Sequence, residues 1–202
     1  MLVGGILLAA GGSTRLGYPK QLLELDGKTL VEIALEKILQ ILPQTITVVT
    51  GGSAEKVRAK LKGKNINLAY NENWQSGMAS SIKTGMQNLL KRLPEVDAVM
   101  ICLCDQPFLT SDHLEALLKA TEDKPQKIIA SHYNNLASVP AIFKKSVFED
   151  LLNLEGQQGA RRVIRKSEEQ TFTVPFAKGI YDVDTVEDWE KIKVLHQQQK
   201  KA

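Results

Sequence analysis

Two cysteines, three histidines and no long apolar run leave this 202-residue chain with nothing but its own core to hold it together. Cys102 and Cys104 sit two positions apart in one apolar stretch, residues 98–104. In a strand both thiols then point to one face, which suits packing rather than a disulfide framework. Free buried thiols fit a reducing compartment, so the cytoplasm is the expected location. No basic residue precedes the first apolar run and no cleavage pattern follows it; residues 2–10 read as a strand, not a leader. Nothing approaches the roughly 20 consecutive apolar residues that a membrane span needs. His113, His132 and His196 fall into no ligand spacing, which argues against zinc. Lys+Arg exceed Asp+Glu by only 26 to 23, an excess too small to mark a nucleic-acid binder.

What is present is an alternation. Short apolar, β-rich runs at residues 3–8, 45–50, 66–70 and 98–104 are separated by helical patterns at 30–41, 53–61 and 80–93. Pro43 and Pro94 close two of those helices. Further on, Thr110 or Ser111 is placed to cap a helix over 112–120, strands are expected at 127–131 and 139–143, and an amphipathic helix at 187–198. This rhythm predicts an α/β fold, a Rossmann-like open, mostly parallel sheet with helices on both faces. One domain is expected over 1–202, with 197–202 a polar tail. Such sheets bind ligands at the carboxyl ends of their strands, which directs attention to the residues after Leu8, Thr50, Tyr70 and Cys104.

After the first strand comes Leu8-Ala9-Ala10-Gly11-Gly12-Ser13-Thr14-Arg15-Leu16-Gly17-Tyr18-Pro19-Lys20. Glycines there let backbone amides approach an anion, and Arg15 and Lys20 are the only charges before Glu24. It is no Walker A loop, because Tyr18 stands where that motif needs lysine, and the glycine spacing of a dinucleotide fingerprint is absent as well. Leu-Ala-Ala-Gly-x-Ser-x-Arg-x-Gly-x-x-Lys, read across Gly11 and Gly12, resembles the signature of the MobA-like nucleotidyltransferases, and within them the molybdenum cofactor cytidylyltransferases. That family has the nucleotide-diphospho-sugar transferase type of fold. The resemblance implies that Ala9, Ala10, Gly11, Gly12, Ser13 and Arg15 hold a triphosphate, that its base is cytosine, and that Lys20 neutralises the α-phosphate as pyrophosphate leaves.

Three further segments extend the resemblance over nearly the whole chain. Asn71-Glu72-Asn73-Trp74-Gln75-Ser76-Gly77-Met78-Ala79-Ser80-Ser81 is similar to the stretch that lines the nucleotide base, which implies roles for Asn71, Gly77 and Ser81. Gly77 can allow close packing on a flat base, and Ser81 can start a helix and offer its hydroxyl. Cys104-Asp105-Gln106-Pro107 resembles the family's metal site, and an Asp after a central strand suits Mg²⁺, which prefers carboxylate, phosphate and water. Asp182 and Asp184 form a second acidic pair that shares one face if extended; Asp184 is favoured as the second metal ligand, with an Asp N-cap for the helix that follows as the plainer reading.

On the acceptor side, residues 156–167 carry Arg161, Arg162, Arg165 and Lys166 and no acid. Gly156-Gln157-Gln158-Gly159-Ala160-Arg161 resembles the family's Gly-Asp-x-Gly-Ala-Arg with Gln157 for Asp, and Ser138-Val139-Pro140-Ala141 its Gly-Val-Pro-Ala with Ser138 for Gly. Gln106, Pro140, Gly159 and Arg161 are thereby implied as acceptor contacts. The expected reaction is Mg²⁺-dependent transfer of CMP from CTP to the terminal phosphate of molybdopterin or molybdenum cofactor, with a molybdenum hydroxylase as a downstream partner. A sugar or polyol phosphate is the alternative acceptor. A non-catalytic, cofactor-binding chaperone is the alternative of another class, and Lys20, Asp105 and Asp184 together speak against it.

Overall fold

The computed structural model describes residues 1–13 and 16–201, the last by its backbone alone. In chain order the strands are β1 (Val3–Ala9), the short β2 (Glu24–Leu25) and β3 (Lys28–Thr29), β4 (Ile46–Thr50), β5 (Asn67–Tyr70), β6 (Ala98–Leu103), β7 (Ile128–Tyr133), β8 (Leu136–Lys144) and β9 (Thr171–Pro175). The helices are α1 (Leu30–Ile41), α2 (Ala54–Lys60), α3 (Met78–Arg92), α4 (Ser111–Asp123), α5 (Phe148–Leu152), α6 (Ala160–Lys166) and α7 (Val186–Lys201). Seven strands form one sheet in the order β5-β4-β1-β6-β8-β7-β9, and β2 pairs with β3 in a separate hairpin. All the neighbours run parallel except β8, which is antiparallel to both β6 and β7.

Alternation of side chains along the strands builds the two layers of core. Leu7 and Ala9 of β1 join Val31, Leu35 and Ile38 of α1 and Leu114 and Leu117 of α4 on one face. Ile6 and Leu8 join Ile82, Met86 and Leu89 of α3 and Ala160, Val163 and Ile164 of α6 on the other. Both faces are covered, so β1 and β6 are apolar at nearly every position, as a parallel sheet requires. Cys102 and Cys104 lie in the first of these layers, both buried, and neither is bridged. Burial pushes both thiols up, that of Cys104 to about 12, which makes them inert at neutral pH.

Caps set the helix starts. Thr29 and Glu32 exchange bonds in a capping box that opens α1, and Thr110 accepts from His113 N at 3.2 Å to open α4. The cap of α7 is Thr185, not an aspartate: its Oγ1 accepts from Asp188 N at 3.2 Å while Asp188 accepts from Thr185 N at 2.9 Å. Residues 182–184 belong to no strand; Val183 is buried and its N–H donates to Asp105 O at 3.0 Å, with Asp182 and Asp184 more exposed on either side of it. Helix α7 also runs through the expected polar tail to Lys201. Among the described residues no helix is long and apolar enough to cross a membrane.

Strand order reverses at β1: the chain moves outward through β4 and β5, then returns to place β6 on the other side. The crevice at such a switch point lies beyond the carboxyl ends of β1 and β6.

Candidate active site

A cleft of about 340 Å³ fills that crevice. Ala9, Ala10, Gly11, Gly12, Ser13 and Lys20 line it from the loop, and Leu103, Cys104 and Asp105 from the end of β6. Trp74, Gly77, Met78 and Ser81 line it from the start of α3, and so does Gln157. The loop is held from behind by Gln21, which is 1% exposed. Its Nε2 donates to Ala9 O at 3.1 Å and Gly11 O at 3.0 Å, and its Oε1 accepts from Ser13 Oγ at 3.4 Å. Ser13 in turn accepts from Lys20 N at 2.9 Å, tying the two ends of the loop together at a residue with φ +50°. Arg15 lies outside the described residues.

The charged centre is Lys20. Its Nζ lies 2.5 Å from Asp105 Oδ2 and 3.0 Å from Asp184 Oδ1. Burial works against the ammonium, but Asp105 and Asp184 outweigh it and hold Lys20 above the usual lysine range. Asp182 shifts upward, chiefly by burial and then through the charges of Asp105 and Asp184. Among the described residues Asp105 Oδ1, which is buried, has no hydrogen-bond partner. An uncompensated carboxylate oxygen in a cleft is what a hard cation takes, so Asp105 with Asp184 fits an oxygen-liganded divalent ion. Among the described residues no group of three metal-ligating side chains is assembled, so these two carboxylates would leave further positions to phosphate and water.

Three positions carry structural constraints that their sequence did not suggest. Gly77, at φ +118°, lines the cleft and also makes room for backbone: a Cβ there would lie 2.2 Å from Gly156 O. That carbonyl accepts from Ala79 N at 3.2 Å and so caps α3, which begins at Met78 rather than at Ser81. Asn71 is buried and does not line the cleft; its Nδ2 donates to Ser80 Oγ and Ser81 Oγ, tying the end of β5 to α3. Gln157, expected on the acceptor side, faces the same cleft as the glycine loop. The indole of Trp74 crowds three glycines: a Cβ at Gly12, Gly51 or Gly52 would come within 2.6, 2.9 or 2.9 Å of it, and one at Gly51 would also meet Ala10 O at 2.6 Å.

The expected acceptor residues gather beside the cleft, not in it. Gln106, 2% exposed, donates from Nε2 to Tyr133 Oη at 3.2 Å. Tyr133 Oη lies 3.0 Å from Ser138 Oγ and 3.1 Å from Val139 O, and Ser138 Oγ accepts from Arg161 Nε and Nη2 at 3.3 and 3.0 Å. Pro140, after a cis peptide, offers its carbonyl to Ser131 Oγ at 2.6 Å. Gly159 packs on Met78, whose Sδ a Cβ would approach to 2.6 Å.

The profile of the MobA-like NTP transferase domain matches residues 5–171. The chain belongs to that family. Among its relatives, the purine catabolism protein PucB of Bacillus subtilis is 27% identical over 199 residues, 94% of this chain and 95% of that one. Nicotine blue oxidoreductase of Paenarthrobacter nicotinovorans is 33% identical over 144 residues, 71% of this chain and 67% of that one. A crystal structure of the Mycobacterium sp. strain JC1 homologue of Rv0371c superposes with a TM-score of 0.84 at 29% identity, covering 98% of both chains. At lower identity the fold alone is shared: Mycobacterium tuberculosis Rv0371c in complex with manganese (24%, TM-score 0.75, 95% and 98% covered) and the molybdopterin-guanine dinucleotide biosynthesis protein A of Archaeoglobus fulgidus (19%, TM-score 0.70, 98% and 100% covered).

Within this MobA-like frame, sequence reasoning missed Gln21 and Tyr133. A neutral amide set between Lys20 and Leu22, directly behind the loop, was a usable signal for Gln21. Tyr133 had none, since its partners Gln106 and Ser138 come from elsewhere in the chain.

Proposed function

We propose that this chain is a nucleotidyltransferase domain over residues 1–202 that moves CMP from CTP to the terminal phosphate of molybdopterin or molybdenum cofactor, with Mg²⁺ as its ion and the cytoplasm as its setting. The observation that carries the reading is Lys20, held by Asp105 and Asp184 at the mouth of the glycine loop. An acceptor phosphate oxygen attacks the α-phosphorus, the bond from that phosphorus to the β-phosphate bridging oxygen breaks, and pyrophosphate leaves. Two polyanions must approach each other, so the chain's work is positioning and charge compensation. Loop amides from Gly11 to Ser13 cradle the triphosphate, and Lys20 turns from its carboxylates to the α-phosphate as negative charge moves to the leaving group. Asp105 and Asp184 would hold the divalent ion, which lowers the repulsion between the phosphates when bound. Ser81 lines the base side of the cleft, and Gln106 and Arg161 face the acceptor.

Support for a divalent ion comes from the two carboxylates and the orphaned Asp105 oxygen, and from the manganese in the Rv0371c complex. Support for the acceptor comes from the resemblance in residues 8–20, 104–107 and 137–143, and from the Archaeoglobus protein of the same fold. The test is pyrophosphate release with Mg²⁺ and each nucleoside triphosphate, with and without molybdenum cofactor. Release with CTP and that cofactor is expected. Release only with a sugar or polyol phosphate replaces the acceptor, and nucleotide binding without release under any condition favours a carrier.

A further inference from the structure

The side of α6 that carries Arg161 and Arg165 borders, beside the buried Ile164, a second, larger groove, of about 670 Å³, closed on its far side by the edge strand β9. We infer that this groove is an anion subsite, built on Arg161 and Arg165, which takes a phosphate or carboxylate group. On an acceptor such a group is a second anion besides the phosphate that reacts, which a sugar or polyol phosphate can carry and molybdopterin, with its single phosphate, does not. That the anion belongs to the acceptor rests on the transferase reading; that the groove binds an anion does not.

Three observations converge. The first is the sheet surface beneath it. Phe172 and Val174 of β9 pack into the core on the α4 side, so Thr171 and Thr173 take the other face. On that face the neighbouring strands β7 and β8 place Ile128, Ala130 and Phe143 in the core, whereas β9 turns two hydroxyls to the groove, where they serve a polar ligand.

The second is charge. Of the four cations in residues 156–167, Lys166 is spent on Asp150 at 2.6 Å. Among the described residues no carboxylate pairs with Arg161 or Arg165, and both line the groove one helical turn apart, with His132 nearby and Glu168 as the single acid. Two guanidinium groups at (i, i+4) on one helix face repel each other unless something negative lies between them.

The third is Ser138. Its hydroxyl receives both Nε and Nη2 of Arg161, fixing the guanidinium plane and leaving three of its five N–H donors for a ligand. A glycine, which the family pattern has at this position, provides no such anchor. The hydroxyl is itself joined through Tyr133 to Gln106, the neighbour of Asp105. Ser138 is therefore a positioning residue that couples an aimed arginine to the reacting end of the site. A planar, preorganised fork is suited to bidentate capture of an oxyanion.

The test is an NMR titration of the full chain with inorganic phosphate, and in parallel with acetate. Arginine Nε–H signals of Arg161 and Arg165 report the groove, and the Trp74 indole N–H reports the nucleotide cleft. Nε–H signals of both arginines are expected to shift at millimolar anion, with Arg165→Gln weakening the response about tenfold and Ser138→Gly weakening it several-fold. The anion that binds more tightly tells phosphate from carboxylate. Shifts confined to Trp74, or arginine shifts that survive Arg165→Gln unchanged, overturn the subsite. In turnover, Ser138→Gly is expected to raise KM for the acceptor while kcat and KM for the nucleotide hold. Intact anion binding with an unchanged acceptor KM would detach the groove from the acceptor, and absence of transfer altogether would leave the titration result standing.

Discussion

Replacing Gln21 with leucine keeps the volume and removes the side-chain hydrogen bonds that Gln21 makes to Ala9, Gly11 and Ser13 of the glycine loop. Gln21 Nε2 bonds Ala9 O and Gly11 O at 3.1 and 3.0 Å, and the side chain is 1% exposed, so water cannot substitute at the Ala9 carbonyl. A buried acceptor left unpaired costs about 1–3 kcal/mol, and the less buried Gly11 bond contributes about 1 kcal/mol more. The expected loss is therefore about 2–4 kcal/mol, a large share of the roughly 5–15 kcal/mol by which a domain is stable. A chain of this size then melts roughly 5–15 °C lower. The second consequence is functional. Ser13 and Lys20 are tied to each other through Ser13 Oγ, and Gln21 accepts from that same hydroxyl, so the loop loses its fixed shape. Affinity for the triphosphate is expected to fall about tenfold while the far-UV spectrum stays native. Urea unfolding and a nucleotide titration followed by Trp74 fluorescence measure the two effects. A Gln21→Leu protein that unfolds at the wild-type midpoint and binds nucleotide as tightly would refute the idea that Gln21 organises the loop.

Lys20→Ala is expected to lower kcat roughly a hundredfold or more while nucleotide affinity changes little, because its charge matters most as pyrophosphate departs; equal losses in both, by steady-state kinetics, contradict that role. Asp105→Asn should lose turnover at physiological Mg²⁺, and wild-type rates there would remove it from the ion site. Gly77→Ala forces a side chain into a conformation that costs about 1–3 kcal/mol and onto a carbonyl 2.2 Å away. The Gly156 loop must then leave α3, seen as a lower urea midpoint and faster proteolysis near Gly156. His113 is held near pKa 4 by burial, below its ordinary 6.5. Its Nε2 must carry the hydrogen, since Ser131 gives its own to Pro140 O. The unfolded chain takes up a proton that the folded one refuses, so stability falls as pH drops from 6.5 toward 4 and this contribution levels off below. His113→Gln should flatten that part of the urea-midpoint profile.

The sheet was legible because buried parallel strands write themselves as short apolar runs, and β1, β4, β5 and β6 fall within a residue or two of the expected bounds. Elements at the sheet's far edge were not. Strand β9 reads Thr-Phe-Thr-Val-Pro, apolar on one face only and ending in proline, which the sequence alone does not separate from a loop. The β7–β8 turn at Asn134-Asn135, both at positive φ, is a type I′ signal that lay in view. For the site, glycines and charges at strand ends pointed to the crevice in which the structure gathers them. What adjacency cannot show is competition for partners: Asn71 is used up by Ser80 and Ser81, Gly77 by Gly156, and Ser138 by Arg161. The pairing of Lys20 with Asp105 and Asp184, 85 and 164 positions on, exists only once the sheet has formed.

The most direct measurement follows the label. With CTP carrying ³²P at the α-position, Mg²⁺ and molybdenum cofactor, the label is expected in the acceptor product, with unlabelled pyrophosphate released in equal amount. Label recovered as CMP, or left in CTP while every acceptor phosphate stays unmodified, would contradict nucleotidyl transfer by Lys20 and Asp105.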